Sequence, residues 1–121
     1  MRRFFPLLVL LAATAVQAQT VSRVTVGVRP QNFSGRCPAE LVFIGTIHVN
    51  RYPVIVEYEW ERSDGARGPR QRVRIDSRGR GVRDTWTLGA RGEQLHVWEQ
   101  LHVLAPTNIR SPRAAVRVNC R

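Results

Sequence analysis

The chain has 121 residues, 19 arginines and no lysine, 9 acids, a formal net charge of +10 and 2 cysteines, which fits one domain with a modest core. Two cysteines are too few for a four-ligand zinc site and lack the C-x-x-C spacing of a redox motif. No apolar run reaches the roughly 20 residues of a membrane-spanning helix.

Arg2 and Arg3 form a short positive segment, Leu7 to Val16 an apolar one, and Val16-Gln17-Ala18 offers small residues before Gln19. Residues 1–18 therefore read as a signal peptide cleaved near Ala18, with an uncleaved N-terminal anchor as the alternative. No cysteine follows the apolar segment, so a lipid anchor is not indicated. Cleavage leaves residues 19–121 as one domain, secreted or periplasmic. In an oxidising compartment Cys37 and Cys120 are expected to pair, the alternative being two free thiols. Closing a loop of 83 sequence steps adds roughly 4 to 5 kcal/mol by the chain-entropy argument.

Short alternating runs follow, and no stretch of ten or more residues has helical periodicity. The first strand is expected over 23–29, with Val24, Val26 and Val28 on one face and Pro30 as its stop. Residues 33–38 read as a bend leading into 41–49, which is apolar on both faces as a central strand can be. Asn50 to Pro53 is a turn. Val54, Val56, Tyr58 and Trp60 then alternate with Ile55, Glu57, Glu59 and Glu61, so one face is expected in the core and the other in water. After a turn at Ser63-Asp64-Gly65 come a strand over 70–75, a glycine-arginine loop over 77–81, and a strand over 82–88 with Val82, Trp86 and Leu88 inward. The last two strands are expected over 95–104 and 113–120. Strand-and-turn spacing of this kind predicts an all-β fold, an immunoglobulin-like antiparallel β-sandwich of about seven strands with one disulfide.

Several segments also carry a resemblance. Phe33-Ser34-Gly35-x-Cys37-Pro38, Phe43-x-Gly45-x-Ile47, Tyr58-x-Trp60-x-Arg62-Ser63-Asp64-Gly65, Trp86-x-Leu88-Gly89 and Trp98-x-x-Leu101-x-Val103, closing at Cys120, resemble small secreted immunoglobulin-like domains of bacteria. The resemblance spans nearly all of residues 19–121. It implies a fold and an export route and transfers no catalytic residue, because that family has no established activity. In antibody domains the second cysteine lies in the penultimate strand, whereas Cys120 closes the last one.

Trp60 and Trp86 share the apolar faces of their strands and are expected in the core. Trp98 has the opposite parity to Leu101 and Val103, which turns it outward unless a bulge intervenes and makes it a candidate contact residue. Without residues 1–18 the chain keeps 17 arginines against 9 acids, a net +8, and residues 67–83 hold seven arginines and one acid. Arg72 and Arg74 are expected opposite the Glu57, Glu59 and Glu61 row, each cross-strand pair adding roughly 0.2 to 1 kcal/mol. Arg67, Arg70, Arg78, Arg80 and Arg83 remain as a candidate anion-binding patch, suited by the planar guanidinium fork to phosphate, sulfate or carboxylate. The alternative is that arginine richness is purely compositional.

Enzyme chemistry finds no support. The serines have no strand-turn-helix nucleophile context, and no triad can be assembled with His48, His96 or His102. His96 and His102 lie about 20 Å apart on one strand, too far for one metal ion, and read as surface histidines. No cofactor or metal motif is present. Anionic polysaccharide, lipid head groups and acidic proteins qualify as partners on charge. Nucleic acid qualifies on charge as well but is not the expected partner, because no aromatic interleaves with the arginines between Trp60 and Trp86 and no recognition helix is visible. Two functions are therefore expected: a secreted, non-catalytic binding or adhesion module for anionic partners, or an accessory envelope domain acting by protein-protein pairing with its charge incidental.

Overall fold

Alternation of valine, isoleucine and leucine with polar residues places one face of each extended segment in the core, and the structure uses this period throughout. The computed structural model describes residues 3–7 and 19–121. The apolar segment of the expected leader beyond Leu7, and its cleavage position, lie outside the described residues. Phe4, Phe5 and Leu7 are exposed, and no helix among the described residues is long and apolar enough to cross a membrane.

Nine strands form among the described residues: β1 (Val21–Arg29), β2 (Asn32–Gly35), β3 (Ala39–Val49), β4 (Val54–Arg62), β5 (Gln71–Ile75), β6 (Gly79–Leu88), β7 (Gln94–Ala105), β8 (Ile109–Arg110) and β9 (Ala114–Cys120). One sheet has the order β1-β3-β6. The other has the order β2-β9-β7-β4-β5, with β8 added beside β7. All pairings are antiparallel except β2 with β9. This is an all-β sandwich of two sheets, as the strand pattern predicts.

The nine strands exceed the seven expected by β2 and the short β8, and the sequence-based boundaries differ most from the structure in two places. Residues 33–38 were expected as a bend, but Asn32–Gly35 form a parallel edge strand whose Phe33 pairs with Val118. Four residues with one apolar side chain carry little local strand signal, and the partner lies 85 residues away. Residues 77–81 were expected as a loop, but β6 begins at Gly79 and pairs from there with His48 of β3. The glycines hide that part of the strand because they supply no alternation.

Between the sheets lie Leu41, Phe43 and Ile47 of β3, Val56, Tyr58 and Trp60 of β4, Val82 and Trp86 of β6, Val97, Leu101 and Val103 of β7, and Val116 and Val118 of β9, all buried. Trp60 and Trp86 thus fill the core as expected. Gly45 of β3 faces the same space. A Cβ there would lie 2.8 Å from Leu101 Cδ2 and 3.1 Å from Trp60 Cη2, so the missing side chain is what lets the facing sheet pack this closely.

Cys37 and Cys120 are joined, with their Cα atoms 5.3 Å apart. The bond ties the segment before β3 to the end of β9, beside the β6–β7 turn. Gly89 in that turn has φ of 99°, and a Cβ on it would lie 2.7 Å from the Cys120 Sγ and 3.0 Å from the Cys37 Sγ. Positive φ and lack of space together require glycine there.

Candidate functional site

The five arginines expected as one patch do not meet. Arg67 lies opposite Glu61 in an isolated backbone β-bridge at the end of β4, and Arg70 precedes β5. Arg78 lies in the β5–β6 turn, where its carbonyl accepts a hydrogen bond from the Val49 N–H at 2.8 Å. Val54, at the other end of β4, pairs with Ile75, so Arg67 and Arg78 are separated by about 20 Å of strand. Arg83 pairs with Ile44 and points outward from the three-stranded sheet. Arg80 has the inward parity of Val82 and reaches across the rim to donate to the Arg74 carbonyl at 2.9 Å. Arg78 and Arg80 come together, whereas Arg67, Arg70 and Arg83 lie elsewhere.

Residues distant in sequence join these two. Arg23 pairs with His48, and His48 with Gly79, in one row across three strands. The β3–β4 turn adds Arg51, and β5 adds Arg74. Residues 19–23, 47–55 and 74–80 together hold five arginines, Arg23, Arg51, Arg74, Arg78 and Arg80, against one acid, Asp76. Asp76 accepts from Arg74 Nε at 2.7 Å. Arg23, Arg51, Arg78 and Arg80 make no salt bridge among the described residues. Tyr52 and Ile55, the neighbouring side chains, are half exposed. No local run reveals this pole, because ladder pairing and two turns assemble it.

Trp98 points outward from the six-stranded sheet as parity requires. Arg113 covers it, with its guanidinium 4.0 Å from the ring centroid, and the indole is partly buried. At the opposite end of the sandwich from the pole, Arg36, Arg91 and Arg121 flank the disulfide around an open groove.

The outer face of β4 departs from expectation. Arg72 does face Glu57, with Nε 3.6 Å from Oε1, but Arg74 lies opposite Ile55 and binds Asp76 instead. Glu59 and Glu61 find their partners on the other side, from β7 and β8. His102 pairs with Glu59 across one ladder and Arg110 across the other. Arg110 Nε donates to Glu61 Oε1 at 2.8 Å, and Gln100 Nε2 donates to the same oxygen at 3.0 Å. His102 Nδ1 lies 3.5 Å from Glu59 Oε1 and 3.9 Å from Glu61 Oε2. His102 Nε2 lies 2.9 Å from Asn108 Oδ1.

Glu59 and His102 are buried, which corrects two expectations: the outer face of β4 is not simply in water, and His102 is not a surface residue. Burial alone raises the Glu61 carboxyl, but hydrogen bonds from Arg110 and Gln100 and the charge of Arg110 outweigh it and hold Glu61 below the usual range.

A second polar group lies between the sheets. Glu99 has the inward parity of Val97 and Leu101 and is fully buried. Arg62 Nη2 donates to Asp84 Oδ2 at 3.1 Å, its Nε lies 3.7 Å from Glu99 Oε1, and its guanidinium carbon is 4.8 Å from the Trp86 ring centroid. Neither Glu99 oxygen accepts a hydrogen bond from the protein. Burial, reinforced by the nearby Asp84 carboxylate and only partly offset by Arg62, pushes Glu99 up to about 9. The Glu99 carboxyl is thus favoured in its protonated form at neutral pH. Parity in the run Val97-Glu99-Leu101-Val103 is the sequence signal that marks it.

No protein-family model matches the chain, and no curated protein matches it. Among solved structures, the chain is similar to a CARDB domain from Pyrococcus furiosus that was crystallised in complex with di-metal ions. The TM-score is 0.55 at 10% identity, covering 87% of this chain and 100% of that one. At that identity the likeness is one of fold.

Proposed function

We propose that the chain is an exported, non-catalytic β-sandwich module that binds polyanionic partners through its basic pole. The observation that carries this reading is the convergence of Arg23, Arg51, Arg74, Arg78 and Arg80 from three separate segments around a single acid, Asp76, which is committed to Arg74. Arginines without an acidic partner, as Arg23, Arg51, Arg78 and Arg80 are among the described residues, suit sulfate, phosphate and carboxylate groups repeated along a polymer. Tyr52 and Ile55, half exposed beside them, add apolar contact. The disulfide supports an oxidising compartment outside the cytoplasm, where anionic surface polymers are met.

The test is retention on a heparin matrix across a salt gradient. The wild-type chain is expected to bind at low salt and to elute as the Debye length shrinks. Replacing Arg23, Arg51 and Arg78 with alanine should bring elution close to the void. The same change at Arg67, Arg70 and Arg83 removes equal charge away from the pole and should shift elution far less. Equal shifts in the two triple variants would show that only total charge matters and would overturn the assignment.

A further inference from the structure

The cluster on the outer face of β4 and β7 supplies three acceptors facing one point. Asn108 Oδ1 lies 2.9 Å from His102 Nε2, and an amide oxygen can only accept, so Nε2 carries the ring proton. In the neutral imidazole this places the free lone pair on Nδ1. Nδ1 is buried, has no hydrogen-bond partner, and faces Glu59 Oε1 and Glu61 Oε2 at 3.5 and 3.9 Å. The Glu61 carboxylate is already oriented: Arg110 and Gln100 occupy Oε1, leaving Oε2 turned toward the imidazole. The His102 side chain is 7% exposed and that of Glu59 10% exposed, so little water screens the three groups from one another.

Three converging acceptors in a shielded position need a cation. A proton on Nδ1 fits the spacing poorly, because both separations exceed the 2.7 to 3.2 Å typical of an N–H···O bond. A metal ion fits better. Two ligands about 2.1 Å from a tetrahedral zinc ion are about 3.4 Å apart, close to the 3.5 Å between His102 Nδ1 and Glu59 Oε1. Glu61 Oε2 completes a set whose atoms lie within 4.8 Å of one another, and its carboxylate would have to move inward on binding to reach tetrahedral spacing.

We propose that Glu59, Glu61 and His102 form a binding site for one divalent transition-metal ion of the zinc type. One imidazole and two carboxylates are a borderline donor set that suits zinc better than calcium or magnesium. Asn108 holds the ring tautomer, and Arg110 and Gln100 hold Glu61, the supporting roles that usually surround a metal ligand. The ion ties β4 to β7, and through Asn108 and Arg110 it ties both to β8. The site is independent of the basic pole, sharing no residue with it.

The test uses the full chain stripped with EDTA and titrated with zinc chloride alone in a calorimeter. One equivalent should bind, and the urea midpoint should rise with zinc because only the folded chain assembles the ligands. His102→Gln and Glu59→Gln should each abolish stoichiometric binding, Asn108→Ala should weaken it by about tenfold or more, and His96→Gln, at an exposed position, should leave it unchanged. Nitrogen NMR of the wild-type imidazoles provides a readout that does not depend on variants folding: the His102 Nδ1 resonance should move from an unprotonated to a metal-bound position. Absence of saturable binding, binding that survives His102→Gln and Glu59→Gln, or a protonated His102 Nδ1 that zinc does not displace would each overturn the proposal.

Discussion

Replacing Glu99 with glutamine is expected to stabilise the protein, by an amount that grows with pH. Glutamine keeps the shape of the fully buried side chain, can donate to Asp84 through its amide nitrogen, and has no ionisation to suppress. Glu99 has a folded-state pKa of about 9 against an ordinary value of 4.5. Between these values the folded chain binds more protons at this site than the unfolded chain, so the group's contribution to stability is fully present below pH 4.5 and is lost as pH rises toward 9. From pH 4.5 to pH 7 the loss is 2.5 pH units at 1.36 kcal/mol each, or about 3 kcal/mol.

The Glu99→Gln and wild-type stabilities should therefore be similar near pH 4 and diverge steadily above it. Urea unfolding of both proteins at unit pH intervals from 4 to 9 measures this, with equal slopes confirming that the unfolded states are comparable. Subtracting the two curves cancels the titrating groups that do not interact with Glu99, leaving Glu99 and its coupling to Asp84. A difference that stays constant across the range would refute the buried, protonated state of Glu99.

Gly45→Ala forces a Cβ to 2.8 Å from Leu101 Cδ2, and the overpacking should lower thermal stability by about 1 to 3 kcal/mol. Replacing both cysteines with alanine opens a loop of 83 residues and should lose roughly 4 to 5 kcal/mol in urea unfolding. Gly89→Ala should make the disulfide form more slowly on oxidative refolding, as followed by thiol titration, because the added Cβ collides with both sulfurs. Arg72→Ala should change stability by less than about 1 kcal/mol, since its partner Glu57 and Arg72 itself are both substantially exposed.

Much of the architecture was legible before any coordinates. Side chains alternate along an extended chain with a period of two, a property of the strand itself, so Val56, Tyr58, Trp60, Val82, Trp86, Leu101, Val103, Val116 and Val118 could be assigned to the core from spacing alone. The same geometry turns Trp98 outward and Glu99 inward, although a charged residue in a core row attracts notice only once its neighbours are known. The cysteine pairing followed from compartment chemistry and from having two thiols.

Tertiary structure decided everything that depends on which strand lies beside which. Phe33 became part of a strand because Val118 lies next to it, and Arg74 was drawn from the glutamate row to Asp76 because register set it opposite Ile55. His102 was buried by Asn108 and Arg110, which return beside β7 after the strand ends. The arginine segment that stood out in sequence was divided between two ends and a face, while Arg23 and Arg51 were brought to Arg78 and Arg80. Alternation is written into neighbouring residues, but a ladder partner is chosen by the packing of the whole core. That is why faces could be read locally and sites could not.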